Sequence, residues 1–327
     1  MEVVAEIGSV HDGSFGNAMA LIKLASECGA TVVKFQYHIA DEETTTDAPN
    51  PSFFTTENRY NYFTRTSFTP SQWKVLYEYA HEVGIKFGCS VFSSKSLYNL
   101  MESGIDVVKI PSGEVTNLPL LMEIASTSLP VHLSSGMSTW TEIEEALEVL
   151  DNIQDLTLLQ CTSEYPAPPE RVGLNVISEM AKRFSRSIGF SDHTPGFEFS
   201  LAAVAIGAKV IEKHFCYSRH MYGSDAFNSL EPAEFKVMTL GIRNISVALE
   251  NPVDKDSIES FQEMRNVFQK SIFAARDLHE KHQIVLNDLK FLKPGSGISA
   301  ANYLELVGKT TTRFIKKGSM FTWDDIE

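Results

Sequence analysis

Two lysines interrupt otherwise apolar runs: Lys34 in Val32-Val33-Lys34-Phe35-Gln36 and Lys109 in Val107-Val108-Lys109-Ile110. A cation in such a place is costly to bury unless it meets an anion. Hydroxyls stand near the ends of similar runs at Ser90, Ser112, Ser134 and Ser191. Gathered together, these groups would supply charge and hydrogen bonds to a phosphate and a carboxylate. The alternative is that each lysine pairs with a strand-end carboxylate, such as Glu6 or Glu114, for structure alone. Two histidines, His193 in Ser191-Asp192-His193-Thr194 and His214 in Glu212-Lys213-His214-Phe215, end two later runs. On adjacent strands about 4.8 Å apart two imidazoles can share one metal ion, whereas either alone reads as a core or general-base residue. Glu6, with His11 close by in sequence, is either a third ligand or a carboxylate that handles protons.

These residues need a scaffold that brings strand ends together. Eight short apolar runs recur, each followed by a helical pattern: Val3 to Gly8, Thr31 to Gln36, Ile85 to Phe92, Val107 to Gly113, Pro130 to Gly136, Asp155 to Ser163, Ile188 to Thr194 and Lys209 to Phe215. Strands apolar on both sides and joined by helices indicate a parallel sheet covered on both faces, and eight such units close into a (β/α)8 TIM barrel. A doubly wound open sheet is the competitor, but Gly8-Ser9-Val10-His11-Asp12-Gly13 lacks the GxGxxG phosphate loop. Helices are expected over residues 17–28 before Gly29, from Thr69-Pro70 to Gly84, and after Glu231-Pro232, where Phe235, Met238, Ile242, Ile245 and Leu249 recur three and four apart. The long loop from Tyr37 to Phe68 mixes Thr44, Thr45 and Thr46 with Phe53, Phe54, Tyr60, Tyr62 and Phe63, which suits a lid over an amphiphile such as a sugar or a simple packed cover. The barrel is assigned to residues 1–250 and a polar linker to 251–270. Residues 271–327 form a small β-rich domain with little core of its own, marginal unless it packs on something else.

Composition narrows the partners. With 28 basic against 42 acidic residues in a chain of 327, a net charge of -14 argues against nucleic acid or an anionic membrane surface. No stretch approaches the roughly 20 apolar residues of a bilayer span. The start, Met1-Glu2-Val3-Val4, enters a strand at once, so a cytoplasmic location is expected. Cys28, Cys89, Cys161 and Cys216 are widely spaced in apolar surroundings and read as reduced and buried.

Taken in order, Ala5-Glu6-Ile7-Gly8 with His11 and Gly13, Val33-Lys34-Phe35-Gln36, Lys109-Ile110-Pro111-Ser112-Gly113-Glu114, Ser134-Ser135-Gly136-Met137, Cys161-Thr162 with Tyr165-Pro166, Ser191-Asp192-His193-Thr194 and Glu212-Lys213-His214-Phe215 resemble the sialic acid (N-acetylneuraminate) synthase family. Lys293-Pro294-Gly295-Ser296-Gly297-Ile298 and Leu306-Val307-Gly308-Lys309 resemble its C-terminal antifreeze-like (SAF) domain. The resemblance implies condensation of phosphoenolpyruvate with an N-acylated amino-sugar aldehyde, giving a nine-carbon 2-keto acid and phosphate by carbon–oxygen cleavage. It assigns phosphoenolpyruvate to Lys34, Lys109, Ser112, Ser134 and Ser191, with Ser90 where the family often has threonine. It gives a divalent metal, Mn2+ or Mg2+, to His193 and His214, and a water-directing role to Glu6. Glu6, Lys34, His193 and His214 would be the catalytic set. Gln36, Tyr165 and Asp225 would contact the sugar, and Glu114, Ser163 and Lys293 fall in the substrate-binding set. A domain-swapped homodimer is implied as well. The chain departs from the family at Val10, Ser163, Ala226 and Lys293, which points to an unusual acceptor sugar. A catalytically idle sugar-phosphate binder on the same scaffold is the alternative. A synthase for a shorter sugar is opposed by the C-terminal domain.

Overall fold

Each of the eight apolar runs forms a strand: β1 (Glu2–Gly8), β2 (Val32–Tyr37), β3 (Lys86–Val91), β4 (Val107–Ile110), β5 (Val131–Ser134), β6 (Leu156–Cys161), β7 (Ser187–Asp192) and β8 (Val210–His214). They pair in parallel and in sequence order, and β8 returns to β1 to close the barrel. The structure, a computed structural model, describes residues 1–51, 54 and 57–327; Phe53 of the expected lid lies outside them. The outer ring consists of α1 (Phe15–Glu27), then α2 (Ala40–Glu43) and α3 (Arg59–Thr66) within the long β2 loop, α4 (Pro70–Glu82), α5 (Ser94–Ser103), α6 (Leu118–Ala125), α7 (Trp140–Val149), α8 (Leu174–Arg183), α9 (Glu198–Ala205) and α10 (Pro232–Glu250). The sequence signals act locally as expected. Thr69 and Gln72 form a reciprocal capping box with Pro70 in the first turn of α4, satisfying donors that the first turn leaves free. Gly29 follows α1 at φ +88°.

The main hydrophobic core lies between strands and helices, where Phe35, Trp73, Leu76 and Phe87 are fully buried. A second, separate apolar cluster of Val4, Val32, Leu159 and Val210 fills the lumen. Alternate residues of a strand share a face, so Glu6, Lys34, Cys161 and Glu212, two positions further along the same strands, form the next layer up. That layer carries charge. Gly189 makes the plug fit: a Cβ there would collide with Leu159 and lie 2.6 Å from the Val210 carbonyl oxygen.

The ends of β7 and β8 are tied on their outer side by a fully buried pair, Lys213 Nζ to Asp192 Oδ1 at 3.2 Å. Asp192 also accepts from Thr194 N (2.8 Å), Thr194 Oγ1 (2.7 Å) and Ser200 Oγ (2.6 Å), while Lys213 donates to the Thr194 carbonyl. Both carboxylate oxygens and the ammonium thereby have partners, which makes such burial tolerable.

The chain divides into two compact units, Met1–Asn251 and Pro252–Glu327. The second contains α11 (Gln262–Phe268), an antiparallel pair β9 (Ser271–Ala274) and β10 (Leu289–Leu292), and α12 (Tyr303–Leu306). Contrary to expectation it has a core of its own, built around Ile272, Ile284, Leu306 and Phe321. Buried Asp288 organises its loops, accepting from Arg276 Nε at 2.6 Å and Val285 N at 3.0 Å. Side chains thus replace much of the missing sheet. All four cysteines are free and buried. Among the described residues no helix is long and apolar enough to cross a membrane.

Lys213→Met would leave the Asp192 carboxylate buried without a cation, and breaking such a pair costs about 3–5 kcal/mol. Urea denaturation of the variant should show a loss of that order; an unchanged midpoint would mean the pair does not hold these strand ends.

Candidate active site

The lumen layer is organised by one contact. Lys109 of β4 reaches across to Glu212 of β8, its Nζ 3.0 and 3.2 Å from the two carboxylate oxygens. In an eight-stranded ring these strands are diametrically opposed. Glu212 also accepts from Ser191 Oγ at 3.0 Å and has Lys34 Nζ at 3.7 Å. Lys34 in turn lies 2.6 Å from Glu6 Oε2 and donates to Ser90 Oγ at 3.1 Å. All six side chains are buried. The expected structural pairing of Lys34 with Glu6 is present. The alternative pairing of Lys109 with Glu114 is not: Glu114 sits in the turn after β4, where its Oε2 accepts from Asn117 Nδ2 at 2.7 Å. Glu212 is the functional candidate that sequence reasoning missed. Its signal was parity, since it shares a face with His214 two residues on.

The charges do not cancel. Burial opposes ionisation of Glu212, but Lys109 and Lys34 outweigh it and hold this carboxyl far below the usual range. Burial, opposed by Lys34 and reinforced by Glu212, lifts Glu6 to about 7. Burial lowers Lys109, with Glu212 opposing, whereas Glu212 and Glu6 overcome burial to raise Lys34. Two ammonium groups therefore share one firmly ionised carboxylate and one that titrates near neutrality. The layer has room in its electrostatics for an added anion.

Hydroxyls line the same region. Ser134 Oγ is buried with no hydrogen-bond partner among the described residues, a cost that a ligand would remove. Ser112 Oγ accepts from Gly136 N at 3.1 Å. A Cβ at Gly136 would lie 2.6 Å from Ser112 Oγ and collide with Ser163 Oγ, so the absence of a side chain keeps this cradle open. Its hydroxyls, with the Gly136 backbone just after β5, suit phosphate oxygens.

Above the layer, His193 and His214 have ring centroids 5.6 Å apart. His193 Nδ1 lies 2.8 Å from the Thr162 carbonyl oxygen; donating there leaves Nε2 with a lone pair, the orientation that outer partners impose on metal-ligating histidines. His214 Nδ1 is buried without a partner among the described residues. Burial, with Asp225 opposing, lowers His214 to about 4, so it is neutral at physiological pH, as a metal ligand must be. Cys161 and the Thr162 carbonyl outweigh burial and raise His193. The described residues contain no group of three or more His, Cys, Asp or Glu arranged around one point. The nitrogen donors that face each other here are the two imidazoles. Tyr165 stacks on His193 at 4.2 Å and meets His214 edge-on at 6.1 Å.

The mouth of the barrel opens outward from these rings. A bulge between Glu6 and Gly8 turns the end of β1, and Gly8 takes φ +54° with Asp225 Oδ2 so close that a Cβ would sit 2.5 Å away. Gln36 Nε2 donates to Glu6 Oε1 at 2.7 Å. Its Oε1 lies 3.0 Å from His38 Nε2, and His38 Nδ1 lies 2.7 Å from Glu43 Oε1. A continuous chain therefore runs from the lid to Glu6. The lid is laid over the mouth by Tyr62, whose hydroxyl donates to the Ser9 carbonyl at 3.3 Å, and by Arg65, which donates to Asp12 at 2.7 Å. A cavity of about 230 Å3 remains beneath it, lined by Gln36, Tyr165 and Asp225 among others. Lys293 lies in the second unit, its Nζ 4.9 Å from the Phe268 ring centroid. His11 is structural, stacking on Phe68 at 4.5 Å and accepting from Gly13 N at 3.1 Å. Two departures expected to face the sugar, Val10 and Ala226, are fully buried in the main core.

A model of the NeuB family matches residues 21–254, and one of the SAF domain matches residues 269–327. The chain is 37% identical to an N,N'-diacetyllegionaminic acid synthase of Campylobacter jejuni, over 97% of this chain and 98% of the relative. It is 33% identical to the human N-acetylneuraminate-9-phosphate synthase, over 94% and 87%. The crystal structure of an N-acetylneuraminic acid synthetase from Leptospira borgpetersenii in complex with citrate superposes with a TM-score of 0.71 at 29% identity, covering 81% of this chain and 91% of that one.

The lifted Glu6 has a measurable consequence. Its ordinary value is 4.5 and its folded value about 7, so its contribution to stability is complete below pH 4.5 and is lost as pH rises through about 7. Glu6→Gln cannot ionise and escapes that loss. In melts from about pH 5 to about pH 8, the variant's midpoint should rise relative to that of the parent chain; a flat or falling difference would contradict the assignment.

Proposed function

Because the chain belongs to the NeuB family and carries a SAF domain, we propose that it condenses phosphoenolpyruvate with the aldehyde of an N-acylated amino sugar, releasing phosphate and a 2-keto acid. The observation that carries this reading is the buried layer in which Lys34 and Lys109 share Glu212 beside the unpartnered Ser134 hydroxyl. Lys109, Ser112, Ser134 and Ser191 hold the phosphate, while Lys34 and Ser90 take the carboxylate, replacing contacts now made to Glu212 and Glu6. Charge-assisted bonds of this kind are among the strongest available to a protein.

Carbon 3 of phosphoenolpyruvate attacks the aldehyde carbon, using the electrons of its double bond. Water adds at carbon 2, and the bond from carbon 2 to the phosphate oxygen breaks. The elements of phosphoenolpyruvate, aldehyde and one water are thereby conserved in keto acid and phosphate. Glu6, titrating near neutrality, holds the water and takes its proton; a group whose pKa lies near the working pH serves that exchange best. Gln36 fixes the Glu6 carboxyl, and Tyr165 and Asp225 orient the sugar. A divalent ion, Mn2+ or Mg2+, held by His193 and His214, would supply Lewis-acid polarisation of the aldehyde oxygen. The names of the C. jejuni and human relatives support a nine-carbon product from a six-carbon acceptor. We also propose a domain-swapped homodimer, a reading supported by the exposed Phe261, Met264, Val267 and Phe268 on and beside α11; Lys293 of one protomer would then serve the site of its partner.

The test is phosphate release from phosphoenolpyruvate with Mn2+ and a panel of N-acetylhexosamines and diacetamidohexoses. Release should require all three components and stop on chelation. His214→Ala should lower it by roughly 1,000-fold or more, the scale of a lost Lewis acid, with the fold intact by circular dichroism. Undiminished turnover would remove His214 from the ligand set, and no release across the panel would defeat the synthase reading.

A further inference from the structure

The mouth cavity has a wall that the proposed chemistry does not use. Besides Gln36 and Asp225 it is lined by Arg59, Phe54, Phe63 and Phe92. Arg59 opens α3, where its backbone N–H is held by Asn50 Oδ1 at 3.1 Å and the helix is capped by Asn58. Its guanidinium carbon lies 5.6 Å from the Phe63 ring centroid. Its Nε is buried and has no hydrogen-bond partner among the described residues. An arginine donor left in this state beside a cavity lacks an acceptor that a ligand would bring.

The aromatic side of the wall is a stack of rings. His38 is sandwiched between Phe63 at 3.7 Å and Phe92 at 4.2 Å, and Phe54 meets Phe63 edge-on at 6.0 Å. The charges nearby decide what fits. Arg59 is the only lysine or arginine among the described lining residues, and Asp225 lines the same cavity. Glu43, paired with His38, stands directly behind the wall. A phosphate dianion would gain one guanidinium while meeting carboxylates on two sides. A neutral amide gains the same donor without that repulsion and offers a methyl group to the rings.

Resting on the synthase reading above, we infer that this wall is the subsite for an acyl group at the end of the acceptor remote from its aldehyde. The amide oxygen accepts a hydrogen bond from Arg59 Nε–H and the methyl lies against Phe63 and Phe92. The acceptor is therefore a diacylamino sugar without a phosphate at that end, and Arg59 sets that preference.

Binding to the full chain with Mn2+ is measured by calorimetry using two reduced probes that cannot condense, a 2,4-diacetamidohexitol and a 2-acetamidohexitol 6-phosphate. The diacetamido probe should bind more tightly. Arg59→Met should weaken it about 10- to 100-fold, the range of a hydrogen bond from a charged donor. Arg59→Lys, which keeps the charge but not the planar fork, should restore little of that loss. Unchanged affinity in Arg59→Met, full rescue by Arg59→Lys, or tighter binding of the phosphorylated probe would overturn the inference. Phosphate release is followed in parallel. Release without Arg59-dependent binding defeats the subsite alone, whereas Arg59-dependent binding without release from any acceptor defeats the synthase reading and leaves the subsite standing.

Discussion

Burying two lysines in the lumen of a closed barrel obliges the protein to surround them with negative charge, and it does so incompletely. Glu212 answers both cations at once, accepting from Lys109 across the ring and standing 3.7 Å from Lys34. Glu6, although 2.6 Å from Lys34, is buried so deeply that it keeps its proton to near neutrality. A layer with full compensation would be inert. With one firm carboxylate for two ammonium groups, the layer is tolerable when empty and more favourable with an anion present, which is the condition a substrate site must meet.

The remaining structure holds that layer in register. Beneath it the plug of Val4, Val32, Leu159 and Val210 closes the lumen, keeping bulk water from entering along the barrel axis. Outside it, the Asp192–Lys213 pair fixes the β7 and β8 ends from which His193 and His214 rise. Above it, the hydrogen-bond chain from Glu43 through His38 and Gln36 ends on Glu6, so the lid and the Glu6 carboxyl share one network. Electrostatics, packing and lid position thus converge on the same few side chains.

Much of this was legible in the chain itself, for identifiable reasons. Apolar runs buried on both faces must form a covered parallel sheet, so the barrel followed from Val3–Gly8 through Lys209–Phe215. Lys34, Lys109 and the two histidines stood out because polar groups in such runs are expensive. Glu212 was hidden by the same logic, since it lies in the middle of a run rather than at its end and only face alternation separates it from Lys213. Glu114 looked equally able to meet Lys109, because sequence does not tell which strand lies across the ring. Val10 and Ala226 read as changes near the sugar, yet both point into the core, which depends on loop geometry that no short motif encodes. The second unit's core was underestimated because buried carboxylates such as Asp288 do the work of longer strands there. Arg59 gave no signal at all; its meaning lies in a missing partner.

If the lysine–carboxylate layer, the hydroxyl cradle and the two imidazoles form one site for an anion and a metal, a crystal grown with phosphoenolpyruvate and Mn2+, with anomalous scattering recorded, will show phosphate density against Lys109, Ser112 and Ser134, carboxylate density at Lys34, and a manganese peak shared by His193 and His214. Phosphoenolpyruvate bound elsewhere, with the Lys109–Glu212 contact unchanged and no manganese peak at the two imidazoles, would contradict it.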